Sequence, residues 1–344
     1  MSPTATGPLL FLLALYVFAF RPTRLAYFAV FFAPFSATAI VNFNSVGYKA
    51  GGVGVTPAMT FTLMLFVAQV IYGHGARRLR ISTGHLVQLG LIVLFFAVAL
   101  LSLIMNAAMG HIIDPVKTHT IYLTIYLGAT ILFSLEFVRE GGVERAIRVA
   151  RASAIFVCFW GLLQLVCSVT GIPYPSILFN NSNSDSADMF AQSLGAFARI
   201  SSVAVEPSVM AASLLHFAAF GVTILSRSAE FRTRYWGWSV GLVVLTLLLS
   251  TSSTAYVGLV VIACLIALER PVLSLIAGVP LLTIFFGLLA SWPKAREVLL
   301  ASTINKNQSF SYNDRTSQVV RDLNSFYNQP LLGSGWGRAV NFNA

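Results

Sequence analysis

The run Phe197–Met210, FARISSVAVEPSVM, concentrates more chemistry than any other part of this sequence. It carries a guanidinium at Arg199, a hydroxyl at Ser201, a carboxylate at Glu206 and, directly after it, Pro207. Proline suits the first position of a helix, where its missing N–H costs nothing. Glu206 therefore stands at a helix N-terminus, whose free N–H groups and dipole favour anions. Two readings fit these residues: an anion subsite with an adjacent carboxylate, or a boundary Arg–Glu pair in which Glu206 caps the helix. In the first, Arg199 binds phosphate oxygens bidentately and stays charged at every relevant pH. Glu206 is the one carboxylate in the run and the candidate for a general base. A carboxylate flanked by a cation and a helix N-terminus is a weak base, so orienting Arg199 is its alternative role. His216 follows ten residues later inside an apolar run, as a satisfied intramembrane histidine or as part of a polar channel.

A second candidate lies near the end of the chain. Val319, Leu323 and Phe326 recur at helical spacing and predict an amphipathic helix. Asn313 or Asp314 can cap its start. Arg315 then falls in the first turn, where a cation opposes the helix dipole unless an anionic ligand offsets it. Arg321 and Asp322 read as polar-face residues. Gly333, Gly335 and Gly337 follow Pro330-Leu-Leu and read as a turn, since no strand precedes them as a dinucleotide fingerprint requires. Metal chemistry finds little here. There is no D-x-D, no H-E-x-x-H and no paired cysteines, and Asp185 and Asp188 in a Ser/Asn-rich stretch are weak ligands. No metal or other cofactor is expected.

The elements that must hold these residues are set by composition. The chain has 344 residues, 57% hydrophobic and 10% charged, with a mean hydropathy of +0.79. A soluble globule of this size would have too little polar surface to face water. Continuous apolar runs without period-two alternation exclude a porin-type barrel. The expected class is all-α: a polytopic helical membrane protein with about ten transmembrane helices. They are expected near 5–20, 25–42, 55–72, 86–105, 119–137, 152–170, 207–226, 235–251, 254–268 and 271–291. The odd-numbered loops hold thirteen Lys and Arg residues; the even-numbered loops before the last hold Lys49, Lys117 and Arg199. That asymmetry places the odd loops in the cytoplasm, and the N-terminus, 171–206 and 292–344 outside.

The resulting organisation is N-terminal transmembrane helices over 1–170, an extracytoplasmic loop over 171–206, transmembrane helices over 207–291 and an extracytoplasmic loop over 292–344. These loops are expected to carry short helices. The net charge of +10 lies mainly in short loops, as topology signals rather than a nucleic-acid face. Cys158, Cys167 and Cys264 sit in apolar runs and read as small buried packing residues. No internal repeat suggests an inverted-repeat transporter.

Taken together, these motifs resemble the O-antigen ligase/polymerase superfamily of bacterial envelopes. The likeness rests on Arg199-x6-Glu206-Pro207-Ser208, on Arg315 followed by Pro330-Leu-Leu-Gly-x-Gly-x-Gly337, and on the Ser-rich run Leu249-Ser-Thr-Ser-Ser-Thr-Ala-Tyr-Val-Gly258. It covers roughly 150–344. It implies a GT-C-like, metal-independent glycosyltransferase in the bacterial inner membrane, with its active site on the extracytoplasmic face. The implied substrate is a glycan on undecaprenyl diphosphate, whose diphosphate Arg199 and Arg315 would grip, with Glu206 in the catalytic group as the base for the acceptor hydroxyl or as a group that binds acceptor hydroxyls. Ser201, His216 and Arg321 are lesser candidates. Implied partners are membrane lipids and other polysaccharide-assembly proteins such as a chain-length regulator; nucleic acid is not among them. The Glu-Pro-Ser form resembles exopolysaccharide and O-antigen polymerases more than ligases. Ser253-Thr254-Ala255 lacks the arginine that ligases often carry there. The family continues past the Gly-rich motif with a histidine and two closing spans, so the resemblance implies that Ala344 is not the natural end. Polymerase is the leading expectation. An O-antigen or protein glycan ligase is the alternative in the same class, and a lipid-linked sugar transporter or flippase the alternative of another class.

Overall fold

A computed structural model describes residues 2–42, 54–72, 83–105, 141–182, 193–194, 197–227, 235–269 and 310–328. Of these residues 79% are helical, in ten α-helices, with two small two-stranded pairings. The expected segments at 119–137 and 271–291 lie outside the described residues.

The helices are α1 (Gly7–Phe20), α2 (Leu25–Phe32), α3 (Pro57–Tyr72), α4 (Thr83–Met105), α5 (Gly142–Thr170), α6 (Ser176–Phe179), α7 (Pro207–Arg227), α8 (Trp236–Leu249), α9 (Ser253–Glu269) and α10 (Phe310–Asn328). The strands are β1 (Ser2–Pro3), β2 (Val41–Asn42), β3 (Ser193–Leu194) and β4 (Phe197–Ala198). β1 pairs antiparallel with β2, Ser2 opposite Asn42, and β3 pairs antiparallel with β4, Ser193 opposite Ala198. Among the described residues, α5 and α7 are long and apolar enough to cross a membrane.

The chain forms two compact units. One comprises Met1–Tyr16, Tyr27–Thr60 and Glu144–Lys306; the other comprises Val17–Ala26, Phe61–Val143 and Asn307–Ala344. In the first, α7 packs against both α8 and α9. Trp236, buried at the start of α8, stacks on Phe217 of α7 at 5.6 Å between centroids and carries the Arg151 guanidinium over its ring at 5.4 Å. That cation–π contact ties α5 to α8. Close approach elsewhere depends on small residues, as in helix pairs within lipid. Gly161 of α5 leaves room for Ile200 and Thr246, and Gly258 of α9 leaves room for Leu215. An aromatic column, Phe31, Phe35, Phe156, Trp160 and Phe179, joins residues 31–35 and α6 to α5.

Several expected spans take other forms. The apolar run 25–42 is helical only as far as Phe32. Proline disfavours helix at the residue before it and removes a donor, and Pro34 follows at once. The eight residues of α2 cover about 12 Å, well short of a hydrocarbon core. Residues 35–42 continue as turns and β2, largely buried. α5 begins at Gly142, ten residues before the expected 152, so Arg145, Arg148 and Arg151 lie on the helix rather than in a loop. Its 29 residues extend about 44 Å, more than a bilayer core needs, and Glu144 pairs with Arg148 one turn on at 3.8 Å. Cys158 and Cys167 are buried as expected, but Cys264 is exposed, because α9 turns Val257, Val260, Val261, Leu265 and Leu268 outward with it.

In the second unit, α10 begins at Phe310, ahead of the expected caps at Asn313 or Asp314. Arg315 therefore lies in the second turn, where the dipole argument for a first-turn cation no longer applies. Val319, Leu323 and Phe326 are exposed on this helix.

The glycines give a direct check on this packing. A Cβ at Gly7 would run into the backbone carbonyl of Ile40, which cannot rotate away, whereas one at Gly241 in α8 would meet nothing within 4 Å. Gly7→Ala is expected to cost about 1–3 kcal/mol. Gly241→Ala is expected to add up to about 1 kcal/mol through helix propensity alone. Thermal unfolding of the detergent-solubilised protein should move the two melting temperatures in opposite directions.

Candidate functional site

A segment that leaves helical structure inside a packed protein must find partners for its N–H and C=O groups. Residues 199–206, between β4 and α7, meet that requirement in part through two side-chain amides, the buried Gln164 and the half-buried Asn180. Gln164 projects from α5 and is 1% exposed. Its Oε1 accepts from the Ser202 N–H at 2.8 Å and the Ser201 N–H at 3.0 Å, while its Nε2 donates to Ser201 Oγ at 3.3 Å. Asn180 holds the other side of the turn, donating from Nδ2 to the Ser202 carbonyl at 2.7 Å. Asn180 is itself fixed, its Oδ1 accepting from Tyr174 Oη at 2.8 Å and Trp160 Nε1 at 3.4 Å. Ser202 Oγ donates to the Val157 carbonyl at 2.7 Å.

Ser202 thus has its N–H, C=O and hydroxyl all engaged, and it holds a φ of 55°. Such a left-handed backbone is uncommon for a residue other than glycine and persists where its surroundings over-determine it.

Residues 35–42 wrap the same layer. Ala37 N–H donates to the Val203 carbonyl at 2.9 Å, and Val205 N–H donates to Ser36 Oγ at 3.2 Å. Asn181 accepts from Ala39 N–H at 2.8 Å and donates to Thr6 Oγ1 at 2.7 Å. Thr38 Oγ1 donates to the Phe179 carbonyl at 2.6 Å. The N-terminal strand, the 35–42 wrap, the 171–182 segment and the 199–206 turn form one hydrogen-bonded polar layer at the end of α5 and the start of α7.

The predicted site residues fall as follows. Arg199 and Glu206 are both half-buried, and Ser201 is buried between them in sequence. Ile200 anchors the segment with no exposure at all. α7 starts at Pro207 as expected. The Glu206 carbonyl accepts from the Val209 and Met210 N–H groups, each at 3.1 Å, and its Oε2 accepts from Ser208 Oγ at 2.9 Å. Ser201 is committed to Gln164. His216 lies on an exposed face of α7, its Nδ1 donating to the Ala212 carbonyl at 2.6 Å, and so stands apart from this layer. Arg315 and Arg321 belong to the other unit, on α10, where Arg321 is exposed. Asp185, Asp188 and the 333–337 glycines lie outside the described residues. Among the described residues no three His, Cys, Asp or Glu side chains come together as a metal-binding group.

The amides of Gln164, Asn180 and Asn181 are what sequence reasoning missed. Gln164 carries a faint signal, since it stands alone as an amide within an otherwise apolar run. Asn180 and Asn181 were visible only as part of a polar loop. The layer can hold one cation and one carboxylate on a backbone that has little freedom to move, which is the preorganisation that charge-stabilising sites require.

Burial pushes the Tyr174 phenol above its ordinary value of 10.0. Its folded-state pKa is therefore raised above the unfolded one. The stability it contributes is complete below pH 10 and is lost as pH rises beyond that. Melting temperatures between pH 9 and 11.5 should fall more steeply for the natural protein than for Tyr174→Phe, which keeps the ring and removes the ionisation. No family model, no curated protein and no solved structure matches this sequence, so the site rests on its residues and their geometry.

Proposed function

We propose that this chain is a polytopic inner-membrane glycosyltransferase that extends a surface polysaccharide on the extracytoplasmic side. The observation that carries the reading is that Arg199 and Glu206 stand on one amide-clamped segment leading into the N-terminus of α7. The apolar length of α5 and α7 supports a membrane setting. So do the outward-facing Leu9, Leu12, Phe20, Val257 and Leu268, which water would penalise and lipid would not. The motif resemblance supplies the substrate class, a glycan on undecaprenyl diphosphate.

In this reaction an acceptor hydroxyl oxygen attacks the anomeric carbon of the donor. The bond from that carbon to the diphosphate oxygen breaks, and the diphosphate leaves with the electron pair. Negative charge grows on phosphate oxygens as the bond lengthens, and the Arg199 guanidinium answers it. The hydroxyl proton passes to Glu206 as the base; in its alternative role Glu206 orients Arg199 or binds acceptor hydroxyls. Arg315 carries the same diphosphate role from the resemblance alone.

The test is reconstitution in liposomes with an undecaprenyl-diphosphate-linked repeat unit and no other acceptor. The natural protein should produce a ladder of longer lipid-linked products. Arg199→Ala should lower the rate by about 10²–10³-fold, and Glu206→Gln should lower it while leaving donor binding in place. No ladder, but transfer of the glycan onto an acceptor lipid or protein once one is added, would make the protein a ligase. Movement of the donor between leaflets without any product would make it a transporter and end the glycosyltransferase reading. Undiminished synthesis in both Arg199→Ala and Arg315→Ala would end the site assignment.

A further inference from the structure

We infer that Gln164 is a positioning residue for the 199–206 segment, acting through the backbone of Ser201 and Ser202 rather than through substrate. The inference deepens the proposed function, on which its catalytic consequence rests, but its structural core does not depend on it. Three observations carry it. First, an amide 1% exposed within a helix apolar enough to cross a membrane is costly unless its polar atoms are satisfied. Gln164 meets that condition through the 201–202 turn: two N–H groups on Oε1 and Ser201 Oγ on Nε2. Second, the residue it grips has a φ of 55°, so the turn would relax toward a commoner backbone if released. Third, Gly161, one turn earlier on α5, leaves space for Ile200 and Ser202 to sit directly on the helix. The helix therefore supplies both the seat and the clamp.

Arg199 lies two residues before this turn and Glu206 four residues after it. A shift of the turn would move both charged groups together. A misplacement of about 1 Å in such a site costs on the order of 100-fold in rate. Gln164 would thus set how well the guanidinium meets the leaving diphosphate, without touching it.

Hydrogen exchange on the full chain in lipid nanodiscs tests the clamp directly, comparing the natural protein with Gln164→Leu and Gln164→Glu. Leucine fits an apolar helix but offers no acceptor, so the amides of 200–206 should exchange about tenfold faster or more. The amides in the middle of α7 should be unchanged. Glutamic acid keeps an acceptor at the same reach and should restore the natural pattern. Unchanged protection of 200–206 in folded Gln164→Leu would overturn the inference, as would a uniform rise along every helix. Should Gln164→Leu fail to fold, Gln164→Asn, one methylene too short to reach the turn, takes the same readout.

The second arm measures glycosyl transfer. Gln164→Leu should lose activity, Gln164→Glu should regain it, and Gln164→Leu combined with Arg199→Ala should lose less than the product of the two single losses, because part of the Gln164 effect runs through Arg199. Additive losses would overturn a positioning role. If the natural protein transfers no sugar, the proposed function fails while the exchange data still decide whether Gln164 holds the turn.

Discussion

Backbone that stops being helical among packed apolar helices has little water to fall back on, and that constraint governs the layer between the end of α5 and the start of α7. The turn at Ser201–Ser202 is closed by side chains and by another irregular segment as well as by its own backbone. Gln164, Asn180 and Asn181 supply the geometry that a helix would otherwise supply to itself. The same rule explains why residues 35–42, among the more apolar in the chain, run alongside 199–206 instead of forming a helix of their own. Two irregular segments can satisfy one another, as Ala37 and Val203 do. One alone would leave unpaired groups at several kcal/mol each in a lipid-like environment.

Much of the helical framework was legible in the residues. The start of α7 follows from Pro207, and α8 and α9 fall within two residues of their apolar runs. The periodicity behind α10 was also present, although the helix starts at Phe310, ahead of the Asn313 or Asp314 cap expected for it. Two kinds of misreading have clear physical causes. Average hydropathy over 25–42 cannot see that Pro34 ends the helix, since a buried turn and a buried helix are equally apolar. The reverse happened at 142–151, where charges read as a loop but sit on the exposed first turns of a long helix.

The site was legible only in its charged members. Arg199 and Glu206 announce themselves because charge is rare in this sequence. The amides that hold them do not, because a single glutamine in an apolar run looks the same whether it faces a neighbour, a lipid or a turn thirty-seven residues away. Burial and hydrogen-bond geometry separate those cases, and they leave Ser201 with a structural duty where its position had suggested a chemical one. His216 shows the converse. Ten residues along a helix from Glu206 it could have shared a channel with it, yet its ring turns back on its own helix.

The three cysteines divide unevenly between the inside and the outside of the first unit. Cys158 and Cys167 are sealed within α5, while Cys264 stands on the open side of α9. Thiol reagents small enough to dissolve in lipid would therefore find one address among the three. The natural sequence already contains a place for a single spectroscopic probe, on a helix that packs against α7, so movements of that helix pair could be followed without first stripping cysteines from the core.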